Sequence, residues 1–395
     1  MKRFVLPTFH RLFLAAIEAV SAVYAGVGGG RARFGVPPDG EFASGKGRLA
    51  VRGGWRFLHL EGGDFERGVQ QGALLGPVIG DLLHEYLKAI TWLRGMRRAE
   101  IVRRGRRLEP FIPQAFIEEM RGIARGAGVP YEDILMGHTF LEAVQAASCS
   151  CYAAYGRATR NGRLVFGRNL DFMSMGVAHR CQVVAFHKPE DGIPFVSVAW
   201  PGWCGTLTAV NLEGLCVGPL NVPRIVRGED MIGQPYVILF RRMVQEARTC
   251  DEAVELLRTS RRTFSNNVLI AQTQPHPRAV VAEYTAKEIA VREPRDGNDF
   301  IAATNHFRKL GREAEWPDEQ GFSRYPKIVR ALGGARGRAT MRTPVFQLPR
   351  VALPNSLHSL VAEPERRVLR LSLGRIPAAA GPYRTIRYDE NGFVF

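Results

Sequence analysis

Ser148 to Phe172 reads SCSCYAAYGRATRNGRLVFGRNLDF. Asn161-Gly162 is a strong tight-turn signal between two β-rich runs. The segment therefore predicts a hairpin whose returning strand, Gly162 to Asn169, delivers Arg168, Asn169 and Asp171 at its end. Side chains alternate along an extended strand, so Arg168 and Asp171 can both approach the start of the partner strand, where Cys149 sits. A guanidinium near a thiol favours the thiolate and lowers its pKa. A carboxylate in the same place can hold a protonated amine. Cys, Arg and Asp on a hairpin are also a common structural combination, so the chemistry needs support from the rest of the chain.

Downstream the texture stays strand-like. Cys181 to Phe186, Phe195 to Trp200, Cys204 to Val210 and Leu215 to Leu220 are short β-rich runs, separated by turn signals such as Asp191-Gly192 and Glu213-Gly214. Pro235 to Ala247 and Glu252 to Leu257 read as two helices, and strands return at Asn267 to Gln272, Ala279 to Tyr284 and Asp299 to Thr304. A helix around Tyr325 to Leu332 and a Pro-rich tail follow. Up to about residue 145 the patterns are helical: Gly68 to Leu93 repeats apolar residues at helical period, and Pro113 to Arg125 does so until Gly126-Ala127-Gly128 stops it. Strands, then two helices, then strands again predict a layered α+β sandwich rather than alternating βαβ units.

With 395 residues, 46% hydrophobic and 23% charged, the chain has the make-up of a globular protein with a sizeable core. The net charge of +16 comes mostly from arginine. Its one dense cluster, Arg94, Arg97, Arg98, Arg103, Arg104, Arg106 and Arg107, lacks interleaved aromatics or a nucleic-acid fold motif. No specific nucleic-acid partner is expected; the charge fits a solvated face with weak attraction to anionic surfaces. The cysteines Cys149, Cys151, Cys181, Cys204, Cys216 and Cys250 contain no CxxC pair, no zinc-like spacing and no dense disulfide framework. No metal or other cofactor is expected, and a reduced, cytoplasmic setting is the default. The apolar run Leu12 to Ala25 is too short and, with Glu18 inside it, too polar to span a bilayer. It reads as an amphipathic helix or a weak secretory signal within residues 1–25.

The Ser148 to Phe172 segment resembles the nucleophile region of the penicillin acyltransferase (isopenicillin-N acyltransferase) family, related to the choloylglycine hydrolases and, more distantly, acid ceramidase. Upstream, EGGDFERGVQQGALLG (Glu61 to Gly76) and MRGIARGAGVPYEDIL (Met120 to Leu135) resemble that family's pro-segment blocks. Downstream, NLEGLCVGPLNVP (Asn211 to Pro223), ATNHF (Ala302 to Phe307) and SRYPKIV (Ser323 to Val329) resemble blocks carrying, respectively, an oxyanion-binding asparagine, an active-site asparagine and a final arginine. Those positions are Asn221, Asn305 and Arg324. The blocks stand in family order from about residue 58 onward. Two positions depart from the pattern: Ser148 stands where relatives often have glycine before the nucleophile, and Cys151 stands where they have a small residue. Cys151 is thus a rival nucleophile, although the alignment of the Arg168 block favours Cys149.

The resemblance implies a four-layer αββα N-terminal-nucleophile hydrolase sandwich. A mainly helical pro-segment of residues 1–148 would be kept as an α chain, with residues 149–395 as the catalytic β chain. It implies self-cleavage between Ser148 and Cys149, after which the freed α-amine, with a reference pKa of about 7.7, serves as base to its own thiol. Arg168 would support the thiolate, Asp171 position the amine, Asn221 bind the oxyanion, and Asn305 and Arg324 complete the network. The substrate would be a small-molecule acyl amide. Fatty-acyl amides, N-acyl amino acids and β-lactam side chains all fit, as do hydrolysis and acyl transfer, and a homo-oligomer is compatible. Bland roles stand beside these: a turn residue for Asn221, a surface arginine for Arg324, structural contacts for His306 and Glu283, and core packing for Cys181, Cys204, Cys216 and Cys250. The rival functions are a catalytically silent binding protein of the same fold and a basic nucleic-acid or membrane-surface protein.

Overall fold

Residues 47–62 carry the alternation of a half-buried sheet in GRLAVR and WRFLHLEG. The computed structural model describes residue 16 and residues 37–93, 95–144, 148–222, 231–295, 297–310, 319–345 and 351–395. Of the run Leu12 to Ala25 only Ala16 is described, and Arg94 lies outside the described residues. Strands β1 (Gly40–Ser44), β2 (Gly47–Arg52) and β3 (Trp55–Gly62) form an antiparallel set. The described part of the segment before Cys149 is mainly helical, as expected, with a strand set at its start that the helical patterns did not announce. Its first described elements are strands, and β3 runs parallel to β6 (Val183–Pro189) from beyond Cys149.

Helices then follow as the apolar period predicts. α1 (Asp64–Asp81) passes through a π-helical turn, Leu82–Tyr86, into α2 (Leu87–Leu93); α3 (Arg98–Leu108), α4 (Gln114–Ala127) and α5 (Tyr131–Val144) complete the set. α4 stops at Gly128, whose φ of 67° is the left-handed conformation of a glycine cap. α1 and α4 meet backbone to backbone. A Cβ on Gly68 would stand 2.1 Å from the Glu119 carbonyl oxygen, and one on Gly122 would stand 2.2 Å from that of Phe65. On α3 the arginines are exposed and partly paired, Arg104 with Glu100 at 2.7 Å and Arg106 with Glu109 at 2.7 Å.

β4 (Ser148–Gly156) and β5 (Gly162–Asp171) form the predicted hairpin. β7 (Phe195–Ala199), β8 (Ala209–Asn211) and β9 (Cys216–Asn221) precede α6 (Tyr236–Glu246) and α7 (Cys250–Thr259). β10 (Asn266–Gln272), β11 (Arg278–Tyr284), β12 (Ile289–Arg292) and β13 (Phe300–Ala303) lead to α8 (Glu319–Gly334). The predicted strand Cys204 to Val210 shrinks to β8, because Trp203 and Cys204 hydrogen-bond to α5 instead: Trp203 Nε1 to the Gly137 carbonyl at 2.6 Å and the Cys204 N–H to His138 Nε2 at 2.9 Å. The expected Pro-rich tail holds β14 (Ser356–Glu363), β15 (Val368–Ser372), β16 (Arg384–Asp389) and β17 (Gly392–Val394).

Among the described residues the strands form two sheets, β1-β2-β3-β6-β7-β8-β9-β10-β11-β12 and β13-β4-β5-β14-β15-β16-β17. They face one another, β4 and β5 of the second lying against β9 and β10 of the first. α1 covers β2 and β3, α6 covers β8 and β9, and α7 covers β10 and β11, while α8 covers β4 and β13 on the opposite outside. This is the expected αββα order. Strands β10 and β14 are buried along their whole length, as strands covered on both faces must be.

The α1–α4 contact gives a direct test. Gly122→Val has to push the two helix backbones apart and is expected to cost about 3 kcal/mol, the upper range for overpacking. Gly80, on α1 with open space where a side chain would go, is the control; Gly80→Ala should stabilise by about 0.5–1 kcal/mol. Denaturant unfolding of the two variants measures both.

Candidate active site

The hairpin register decides which side chains meet. Ser148 pairs with Asp171, Cys149 with Leu170, Ser150 with Asn169 and Cys151 with Arg168. Cys149 and Cys151 share one face of β4, and Arg168 stands on that face directly across from Cys151 and diagonal to Cys149. Its Nη1 lies 3.2 Å from Cys151 Sγ and its Nη2 3.7 Å from Cys149 Sγ. The fully buried guanidinium is held further by the Pro219 carbonyl, 2.5 Å from Nη1, and Thr208 Oγ1, 2.8 Å from Nε.

The other four predicted residues close on the same point. The Cys149 N–H, an amide in the continuous chain, donates to Asn305 Oδ1 at 2.6 Å. Arg324 Nη2 donates to the same oxygen at 3.0 Å, and its Nη1 reaches the Cys149 carbonyl at 3.0 Å and Asp171 Oδ2 at 3.3 Å. Asn305 Nδ2 donates to the Asn221 carbonyl at 2.6 Å. Cys149, Arg168, Asp171, Asn221, Asn305 and Arg324 are thus one contiguous buried cluster, drawn from both sheets and α8. Ser148 sits at its edge. Among the described residues neither Asn221 Oδ1 nor Nδ2 has a hydrogen-bond partner, although both are buried. Such a group carries a large desolvation penalty unless something binds it.

Asn221 and Cys149 both line one cavity. The rest of its wall is nearly all apolar, with Leu83 and Phe140 from before Cys149 facing Leu170, Trp203 and Tyr236 from after it. Cys151 is not in that wall. It turns toward Gly218, and burial pushes its thiol up to about 11. Burial also raises the Cys149 thiol, and the Asp171 carboxylate adds to this. The Arg168 charge, the Asp171 backbone N–H and Arg324 pull the other way. Access to the cavity therefore separates the two thiols in favour of Cys149.

Several residues take the structural roles weighed above. Glu283 accepts from Arg292 and from the backbone N–H groups of Arg308, Lys309 and Leu310. His306 Nδ1 lies 2.9 Å from Thr304 Oγ1, and burial lowers its pKa to about 4. Cys181, Cys204, Cys216 and Cys250 are buried free thiols. Among the described residues no group of His, Cys, Asp and Glu is arranged to hold a metal ion, and no helix is long and apolar enough to cross a membrane.

Sequence reasoning missed Thr208, Tyr236, Asn266 and Glu142. Asn266 pairs with Asn221 across β9 and β10 and also lines the cavity. Asn266-Asn267 at the head of an apolar strand was the available signal. Glu142, on α5, accepts the Tyr236 backbone N–H at 2.8 Å, and nothing in its local sequence marks it.

Comparison with known proteins matches the motif resemblance. Residues 157–332 match the family model of acyl-coenzyme A:6-aminopenicillanic acid acyl-transferase. That span holds Arg168, Asp171, Asn221, Asn305 and Arg324, while Cys149 lies just before it. An uncharacterized protein of Archaeoglobus fulgidus is 26% identical over 312 residues, covering 66% of this chain and 52% of its own. Protein dcd1A of Dictyostelium discoideum is 29% identical over 240 residues, covering 53% and 54%. The chain thus spans about half the length of these curated relatives. Solved structures with a similar outline include a Caenorhabditis elegans N-acylethanolamine-hydrolyzing acid amidase ortholog, with a TM-score of 0.45, 16% identity and coverage of 55% of this chain and 93% of that one. Another is a mutant conjugated bile acid hydrolase from Clostridium perfringens, with a TM-score of 0.41, 13% identity and coverage of 61% and 97%. The two facing sheets with helices on both outsides define an αββα sandwich, and the chain is similar in sequence to the acyl-coenzyme A:6-aminopenicillanic acid acyl-transferase family over residues 157–332.

Glu142 predicts a pH dependence. Burial raises its folded pKa from 4.5 to about 8, so it stays protonated in the folded chain after the unfolded chain has ionised. Its contribution to stability is therefore full below pH 4.5 and lost as pH rises through about 8. Glu142→Gln keeps an acceptor for Tyr236 without the proton. Thermal melts should show the variant gaining on wild type between pH 5 and pH 9.

Proposed function

We propose that this chain is an N-terminal-nucleophile cysteine amidohydrolase or acyltransferase that cuts itself between Ser148 and Cys149 and then attacks linear amides through Cys149. The observation that carries this reading is the pairing, on one apolar cavity, of a thiol with a buried carboxamide, Asn221, whose side chain has no hydrogen-bond partner among the described residues. In self-cleavage Cys149 Sγ attacks the Ser148 carbonyl carbon. The C–N bond breaks, the nitrogen takes up the thiol proton and leaves as the α-amine of Cys149, and a thioester joins Ser148 to Sγ. Water then breaks the thioester, giving a Ser148 carboxylate and a free thiol. The segment before the cut stays bound as an α chain, since β3 pairs with β6 and both fragments wall the cavity.

In turnover the freed amine takes the thiol proton as base, which removes the need for a histidine. The thiolate attacks the substrate carbonyl, and Asn221 Nδ2 donates to the oxyanion that develops. Asn305 Oδ1, which already holds the Cys149 nitrogen, keeps the amine in place. The Arg324–Asp171 pair anchors Asn305 and the Cys149 carbonyl from behind. The acyl group, seated in the apolar cavity, leaves to water or to another amine. The family model's description, an acyl transfer, supports acyl chemistry of this kind.

Intact mass of the purified protein should give two fragments, the larger beginning at Cys149, and Cys149→Ala should remain one chain of 43.9 kDa. A wild-type chain that stays uncut and also resists a thiol-directed acylating reagent fits a silent binding protein and overturns the enzyme reading. In the processed enzyme Asn221→Ala is expected to lower kcat about a hundredfold, as loss of one oxyanion donor does. Steady-state kinetics on a panel of fatty-acyl and aryl-acyl amides measures it.

A further inference from the structure

Behind Cys149 four buried side chains from both sheets stand in file. Gln182 precedes β6, Thr208 precedes β8, His358 lies in β14 and Arg168 in β5. Gln182 Nε2 is 2.7 Å from His358 Nδ1, His358 Nε2 is 2.8 Å from Thr208 Oγ1, and Arg168 Nε donates to the same Oγ1 at 2.8 Å. A carboxamide nitrogen donates, so Nδ1 accepts and the single ring proton sits on Nε2, facing Thr208. A guanidinium also only donates, so the Thr208 oxygen receives two donors. Burial and the nearby Arg168 charge keep His358 neutral, and a second ring proton would point at the Gln182 nitrogen.

This file sets the direction of the guanidinium, a rigid planar fork. Nε is anchored on Thr208 and Nη1 on the Pro219 carbonyl, two points that fix the plane of the group. In that plane Nη2 is the edge left to face Cys149 Sγ at 3.7 Å. That contact is longer than the 3.2 Å between Nη1 and Cys151, so a small tilt gives Arg168 to the wrong thiol.

We propose that His358, acting through Thr208, is a positioning residue that keeps Arg168 turned toward Cys149. The proposal rests on the reading of Cys149 as nucleophile. Cys149 is faced by Arg168 and Asp171 from β5, Arg324 from α8, Cys151 on its own strand and Tyr236 from α6. Substitutions at Thr208 or His358 alter none of these groups, so a change in Cys149 reactivity with pH reports the pose of Arg168.

The experiment follows alkylation of each cysteine by iodoacetamide in the full-length protein, peptide by peptide, across pH 6 to 10. Thr208→Val keeps the side chain's shape without its hydroxyl; it should move the Cys149 profile to higher pH and slow alkylation at pH 7 about three- to tenfold. Thr208→Ser should stay within about twofold of wild type, because the acceptor is retained. His358→Leu should behave like Thr208→Val, while His358→Gln, which can still donate to Thr208, should resemble wild type. In an Arg168→Lys background there is no Nε to hold, so Thr208→Val should add nothing.

Folded Thr208→Val with the wild-type profile overturns the proposal, as does an equal loss in the Arg168→Lys background. If Thr208→Val does not fold, the His358 pair decides, and equal profiles for His358→Leu and His358→Gln overturn it. A wild-type Cys149 no more reactive than Cys181 at any pH defeats the nucleophile reading and this proposal together. A reactive Cys149 that ignores Thr208 defeats this proposal alone.

Discussion

A fully buried guanidinium has to have its donors met by acceptors, and Arg168 imposes that condition on the middle of this molecule. Its position on β5 is set by the hairpin register, and its acceptors come from both sheets: Cys151 across the hairpin, Thr208 and the Pro219 carbonyl from the facing sheet. The sheets must therefore face each other in one particular alignment. That alignment also brings Asn221, at the end of β9, to the cavity beside Cys149. A buried cation with one good arrangement of partners specifies geometry more sharply than apolar contacts, which tolerate small slides.

The segments on either side of Cys149 are structurally inseparable. Strand β3, from the earlier one, is a neighbour of β6 in the larger sheet. Glu119 on α4 accepts from Arg67 on α1 at 2.9 Å and from Arg241 on α6 at 3.3 Å, all three side chains being fully buried. Burial works to raise the Glu119 pKa, and the two arginines outweigh it and hold the carboxyl ionised. Gln71 on α1 accepts from the Gly202 N–H at 2.7 Å, and Trp203 donates to Gly137 on α5. The cavity therefore has walls from both sides of the Ser148–Cys149 bond. Breaking that one bond removes none of these contacts.

Several elements were legible because local chemistry announces them. Asn161-Gly162 sets the hairpin, Gly126-Ala127-Gly128 sets the end of α4, and the helical period of residues 68–93 sets α1 and α2. The strands of residues 40–62 received no separate reading although GRLAVR alternates in period two, because short strands inside a helix-rich region give a weak signal until a partner is known. The partner of β3 lies beyond Cys149 and no local pattern points to it. The lost strand at Cys204 has the same kind of cause, since its β-rich composition yields to hydrogen bonds from α5 that exist only after folding.

The sequence by itself determined the layered α+β architecture through its order of periodicities, while its resemblance to one family, motif by motif, pointed to Cys149, Arg168, Asp171, Asn221, Asn305 and Arg324. Tertiary structure alone decided how those residues meet. It set the Cys149 amide on Asn305, paired Arg324 with Asp171, and gave the cavity to Cys149 while sealing Cys151 against Gly218. It also recruited Thr208, His358 and Glu142, which no motif marks. The physical reason is range. Turn, cap and period signals act over a few residues, whereas a buried polar atom is satisfied by whichever group the fold brings within about 3 Å, however distant in the chain.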